Sequence, residues 1–177
     1  MKKIVFFLIV LLVFSSCEKD DICDANTITT PRMVIQFYDA LSTVATAKNV
    51  TNLKVISTDQ PNGIVFDPKA TDGSNYLFSG SKLIIPLKIT DDFTTYNFIQ
   101  NSTGSSSNTD IVKINYNRNT PIFVSRACGY KTTFTLNTTN GIEVSNPIGA
   151  PVFWIQSVII SKSNIDNEND IHVKIFF

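Results

Sequence analysis

The run Ile111-Val112-Lys113-Ile114-Asn115-Tyr116-Asn117-Arg118 alternates along its length: Val112, Ile114 and Tyr116 fall on one side of an extended chain, and Lys113 and Asn115, with Ile111, on the other. Successive side chains of a strand point to opposite faces, so the run reads as a strand with one buried and one wet face. Toward the N-terminus, the polar residues 100–108 form a loop, and residues 93–99 form a strand entered from the turn pair Asp91-Asp92. Residues 83–89 contain Pro86, which cannot donate to a ladder and so places the run at a sheet edge or marks a bulge. Shorter β-rich runs at residues 76–78, 64–66, 50–58 and 32–38 complete this half, with Asp59-Gln60-Pro61-Asn62-Gly63 as a turn between two of them.

Toward the C-terminus, residues 122–124, 132–136, 142–144, 152–161 and 171–177 read as further strands. Asn140-Gly141 is a hairpin signal, and Trp154, the sole tryptophan, is a core residue. About eight to ten short strands, frequent turn signals and no helical period define the class: an all-β, immunoglobulin-like antiparallel β-sandwich over residues 32–177. The Cys…Trp…Cys order of true immunoglobulin domains is absent, because Trp154 follows every cysteine. A small outer-membrane barrel fits less well, because Pro86 interrupts a strand and no aromatic girdle is visible.

The chain begins differently. Lys2 and Lys3 precede an uncharged apolar run, residues 4–14, that ends in small residues, which is the plan of a secretory signal peptide over residues 1–16. The run is well short of the ~20 residues a helix needs to span a bilayer. Ser15-Ser16-Cys17 resembles the bacterial lipobox, with Phe14 where leucine is usual, and the resemblance implies cleavage before Cys17 and acylation of its thiol. Several acyl chains make such attachment durable. Glu18-Lys19-Asp20-Asp21 resembles the acidic export tag of Bacteroidota lipoproteins, which implies that Lys19, Asp20 and Asp21 direct the protein to the cell surface rather than the periplasmic face of the outer membrane. Residues 17–31 are then a lipidated tether.

The chain carries 15 basic and 15 acidic residues, and loss of Lys2 and Lys3 with the leader makes the mature chain net negative. Its lysines are scattered singly, without the basic stripe of a nucleic-acid binder, so no nucleic-acid partner is expected. With Cys17 assigned to lipid, Cys23 and Cys128 remain in a compartment that permits disulfides. A bridge between them is expected, with two unpaired thiols as the alternative.

The segment Ser125-Arg126-Ala127-Cys128-Gly129-Tyr130-Lys131 is the densest cluster of chemically capable side chains, yet a thiolate nucleophile needs a base and the only histidine, His172, lies in a strand-like run. Asp166-Asn167-Glu168-Asn169-Asp170 spaces oxygen side chains as calcium loops do, but Ile171 stands where such a loop needs glycine, so a polar hairpin is the better reading. No catalytic residue, metal site or cofactor is expected.

Cys17-Glu18-Lys19-Asp20-Asp21-Ile22-Cys23, Thr30-Pro31-Arg32, the Ser125 to Lys131 cluster and His172-Val173-Lys174-Ile175-Phe176 together resemble an uncharacterised family of Bacteroidota outer-membrane lipoproteins, over essentially the whole mature chain. The resemblance implies an address and no chemistry. The functional expectation is a lipid-anchored, surface-displayed protein that binds a protein or glycan partner without catalysis, its membrane contact being the N-terminal lipid. An envelope hydrolase and a structural subunit of an outer-membrane assembly are the alternatives. Cys17→Ala should abolish incorporation of an alkyne fatty acid in growing cells; label persisting in that variant would refute acylation at Cys17.

Overall fold

The computed structural model describes residues 22–24, 27–149 and 152–177. The leader, the expected lipidation residue Cys17 and the expected export-tag residues Lys19, Asp20 and Asp21 therefore lie outside the described residues. Thirteen strands are present among the described residues: β1 (Met33–Tyr38), β2 (Val50–Ser57), β3 (Leu77–Gly80), β4 (Lys82–Ile85), β5 (Phe93–Gln100), β6 (Asn108–Arg118), β7 (Ile122–Ser125), β8 (Gly129–Lys131), β9 (Phe134–Leu136), β10 (Ile142–Ser145), β11 (Ser157–Ile160), β12 (Asn164–Ile165) and β13 (Val173–Phe176). The described residues divide between two compact units: those up to Thr29 with Pro121–Lys131, and Thr30–Thr120 with Thr132–Phe177.

The larger unit is the β-sandwich that the alternation predicts, antiparallel in its ladders except for the parallel β1–β13 pair. One sheet has the order β11-β13-β1-β4, and the other runs β12-β9-β6-β5-β2-β3 with β10 also paired to β6. On β6 the alternation places Val112, Ile114 and Tyr116 in the core. They meet Leu53, Val55 and Phe98 of their own sheet and Ile35, Phe37, Leu83, Ile85, Val173 and Ile175 of the other in one hydrophobic cluster. Full burial of each such side chain is worth about 1.5–3 kcal/mol. Trp154 is a core residue: it packs edge to face on Phe177 at 5.6 Å between ring centroids, and its indole N–H donates to the Phe98 carbonyl.

At the centre of the first sheet, β1 is antiparallel to β4 and parallel to β13, with Ile35 opposite Val173 and Phe37 opposite Ile175. Met33 through Phe37 are all buried, so the strand has no wet face. Its buried polar side chain, Gln36, is satisfied by donating to the Ser81 carbonyl at 2.9 Å.

Three local expectations change. Asn140-Gly141 is not a hairpin turn: β9 and β10 both pair antiparallel to β6, β9 along Tyr116–Arg118 and β10 along Ile111–Ile114, so the segment interrupts what would otherwise be one strand running along β6. The Gly141 carbonyl accepts the Asn115 N–H at 2.9 Å, and a Cβ at Gly141 would collide with the Asn137 carbonyl, so glycine is required there by close approach. Residues 64–66 do not join a strand, although Ile64 is buried. Asp166–Asp170 connects strands of different sheets, β12 and β13, and is not a hairpin loop.

The smaller unit contains the hairpin β7–β8, in which Phe123 lies opposite Tyr130. Gly129 sits at φ +70°, and the Cys128 N–H donates to the Ser125 hydroxyl, a tight turn with a register shift that only a residue tolerant of positive φ closes easily. An isolated two-stranded hairpin is marginal in water. A disulfide from Cys128 to Cys23, with Cα atoms 4.8 Å apart, holds this one. The bridge spans 105 residues of sequence, a loop whose closure is worth about 4–5 kcal/mol in the chain-entropy account. Denatured mature protein should therefore show no alkylatable cysteine before reduction, and Cys128→Ser should cost about 4 kcal/mol. Two reactive cysteines in the unreduced protein would refute the bridge.

Candidate binding groove

An open groove of about 740 Å³ lies on the sandwich where the chain changes sheets. β3 is the last strand of one sheet and β4 the last of the other, and Ser81 alone joins them. Pro86 directly follows β4, in keeping with its expected place at a sheet edge. The turn at residues 59–63 forms the rim. Gly63, at φ +108°, donates to the Gln60 carbonyl, and a Cβ there would come within 3.2 Å of the Val55 carbonyl, so glycine lets the chain fold back along β2. Ile64 then donates to Val55 and Phe66 to the Asn75 carbonyl, which sets the Phe66 ring against Phe78 at 5.5 Å.

Tyr76, Phe78, Phe66, Ile84 and Pro86 give the groove an apolar lining, and Gln60, Asn62, Lys82 and Arg32 bring polar groups to it. Gln60, Asn62 and Lys82 are exposed. Arg32 is held in place by Glu168, whose carboxylate accepts from its Nε at 2.8 Å, from Nη2 at 2.7 Å and from its backbone N–H at 3.0 Å. The hydrogen bonds from Arg32 keep the Glu168 carboxyl below its ordinary range.

The backbone of β4 also faces the groove. Hydrogen-bonded and non-bonded residue pairs alternate across an antiparallel ladder. The Phe37 N–H donates to Ser81, whereas Val34, opposite Ile84, turns its N–H and carbonyl to His172 on the β13 side. Leu83 and Ile85 therefore bond β1, and the N–H and C=O groups of Lys82 and Ile84 point outward along an edge that no strand of the described residues pairs.

The chemically capable residues singled out in the sequence are engaged elsewhere. Cys128 is in the disulfide. His172 is fully buried; its Nδ1 accepts the Val34 N–H at 2.9 Å, so the ring is neutral with its proton on Nε2, and burial depresses its pKa below 6.5. Asp166 and Asp170 both accept from Lys162, at 3.2 and 2.6 Å, so this loop is tied to a lysine that lies before β12. Among the described residues no group of three or more His, Cys, Asp or Glu side chains is placed to hold a metal ion, and no helix is long and apolar enough to cross a membrane. Sequence reasoning missed Asp110, buried on β6, whose carboxylate accepts the Ile155 N–H at 2.8 Å and fixes the segment carrying Trp154. It also missed the Arg32–Glu168 pair, which has no local signal because the partners are 136 residues apart.

Fold and groove together define a β-sandwich with an unpaired strand edge beside a mixed apolar and polar cleft. The chain belongs to a protein family of unknown function, DUF6452, which matches residues 64–177. No curated protein and no solved structure matches it.

The buried histidine has a measurable signature. In the unfolded chain His172 takes up a proton as pH falls below 6.5, while in the folded protein burial opposes protonation and the Val34 hydrogen bond requires the bare Nδ1. Its contribution to stability is thus present above 6.5 and lost as pH falls toward the folded value. His172→Asn keeps an acceptor for Val34 but does not titrate; the lowering of Glu168 by Arg32, its largest cause, and the raising of Asp110 by burial act alike in both proteins. The stability advantage of wild type over His172→Asn should shrink between pH 8 and pH 5 in denaturant titrations. A constant difference would refute this account.

Proposed function

We propose that the protein is a lipid-anchored binding protein of the Bacteroidota outer membrane, displayed on the cell surface, that captures an extended peptide segment along β4 without catalysing a reaction. The observation that carries the binding reading is the free edge. Lys82 and Ile84 each offer an N–H and a C=O that are unpaired among the described residues, beside Phe66, Tyr76 and Phe78, the combination that strand addition uses: main-chain bonds for affinity and pockets for alternate side chains. Edge strands ordinarily carry lysine and proline to block open-ended pairing. Here Lys82 and Pro86 bracket the edge, restricting addition to a short segment and favouring a selective partner over self-association. The lipid anchor and surface address are supported by Ser15-Ser16-Cys17 and by the tag Lys19, Asp20 and Asp21.

Two measurements test this reading. Replacing Lys19, Asp20 and Asp21 by alanine should reduce protease shaving of the protein on intact cells at unchanged total amount; wild type already protected from shaving would place it on the periplasmic face. Peptides selected from a random display library on the mature protein should slow hydrogen exchange at the Lys82 and Ile84 amides by about tenfold or more, since exchange reports local hydrogen bonding. Peptides that leave both amides exchanging freely would refute strand addition, and binding of oligosaccharides alone would replace the peptide with a glycan.

A further inference from the structure

The smaller unit exposes apolar surface that the binding groove does not use. Ile22 is 84% exposed, Phe123 58% and Tyr130 64%, and Ile122 and Val124 are exposed beside them. The Phe123 and Tyr130 rings meet edge to face across the hairpin, 5.6 Å between centroids, so they form one aromatic surface. In a two-stranded ribbon alternate side chains point to opposite faces, and here Ile122, Phe123 and Val124 are all exposed, so both faces of β7 are apolar and uncovered by the described residues.

We propose that the β7–β8 hairpin, with Ile22, is a second membrane contact of the protein, its apolar side chains lying in the interfacial region of the bilayer that holds the lipid on Cys17. The proposal rests on the lipid-anchored reading, and its argument is one of reach. Five residues lie between Cys17 and Cys23, so six residue steps join them and span at most about 20 Å fully extended. The disulfide then places Cys128, in the hairpin turn, 4.8 Å from Cys23 between Cα atoms. The hairpin is thus covalently confined close to the bilayer surface, at a high effective concentration of lipid, where weak apolar contacts suffice for continuous occupancy. Aromatic side chains with a polar tip, such as Tyr130, favour this interfacial layer. Charge does not drive the contact: Lys19, Arg126 and Lys131 are offset by Glu18, Asp20, Asp21 and Asp24, so attachment is apolar and insensitive to salt.

The test uses the full mature protein, acylated in cells with an alkyne fatty acid and reconstituted into phosphatidylethanolamine–phosphatidylglycerol vesicles containing lipids brominated near the headgroup end of their chains. Phe123→Trp and Tyr130→Trp each add a reporter to the buried Trp154, and alkylation of denatured samples verifies the bridge in both. Each added tryptophan should lose intensity to the brominated lipid beyond the loss in wild type, equally at low and high salt. If both reporters stay unquenched while the acylated protein floats with the vesicles, the hairpin contact is overturned and the anchor stands; the patch then faces a protein partner or solvent. Quenching without fatty-acid label upholds the hairpin contact and removes the anchor. Absence of both label and quenching overturns the two together.

Discussion

The structure depends on the burial of β1 between two strands that come from distant parts of the chain. A strand with five consecutive buried residues has no water to satisfy its backbone, so each N–H and C=O must find a partner on β4 or β13. Parallel pairing with β13 meets half of that demand, and where the ladder ends a side chain continues it. The His172 N–H donates to the Val34 carbonyl while its ring nitrogen accepts the Val34 N–H. The ring does what a further backbone residue would do, and for that it must be neutral and buried. This explains why the sole histidine is unavailable for chemistry at the surface.

Seating β1 at the centre of its sheet makes β4 an edge, and the single-residue crossover at Ser81 then sets that edge beside β3, the edge of the opposite sheet. The groove follows from this connection. Ser81 itself is consumed by the core, accepting from the Phe37 backbone and the Gln36 amide, whereas its neighbour Lys82 and then Ile84 turn outward. One feature of the backbone therefore both closes the sandwich and leaves the hydrogen-bonding groups that a partner strand needs. Arg32, just before β1, is delivered to the same groove by its pairing with Glu168 in the β12–β13 connection, so the segments that lead into the paired strands also furnish the rim.

The smaller unit is organised by a different force. Its hairpin has no packed face of its own, and a covalent bond supplies what hydrophobic burial supplies in the sandwich. Because the unit gathers the segment around Cys23 and a hairpin from the middle of the chain, the bridge fixes a local geometry that the apolar content of β7 and β8 would not sustain in water.

Period-two alternation in Ile111 to Tyr116 was enough to identify a half-buried strand and to name Val112, Ile114 and Tyr116 as core, because the direction of a strand side chain is set by local geometry. Pro86 was enough to mark an edge, because a missing N–H cannot be hidden inside a sheet. Which strands become neighbours is decided only when the chain folds back, since alternation specifies a face and not a partner. Hence the parallel β1–β13 pair, the two strands that share β6 around Asn140-Gly141, and the meeting of Arg32 with Glu168 were invisible in the sequence. Asn-Gly signals a hairpin by its tolerance of positive φ, but Gly141 was selected for the room its missing Cβ leaves beside the Asn137 carbonyl, a requirement that exists only once β6 lies alongside.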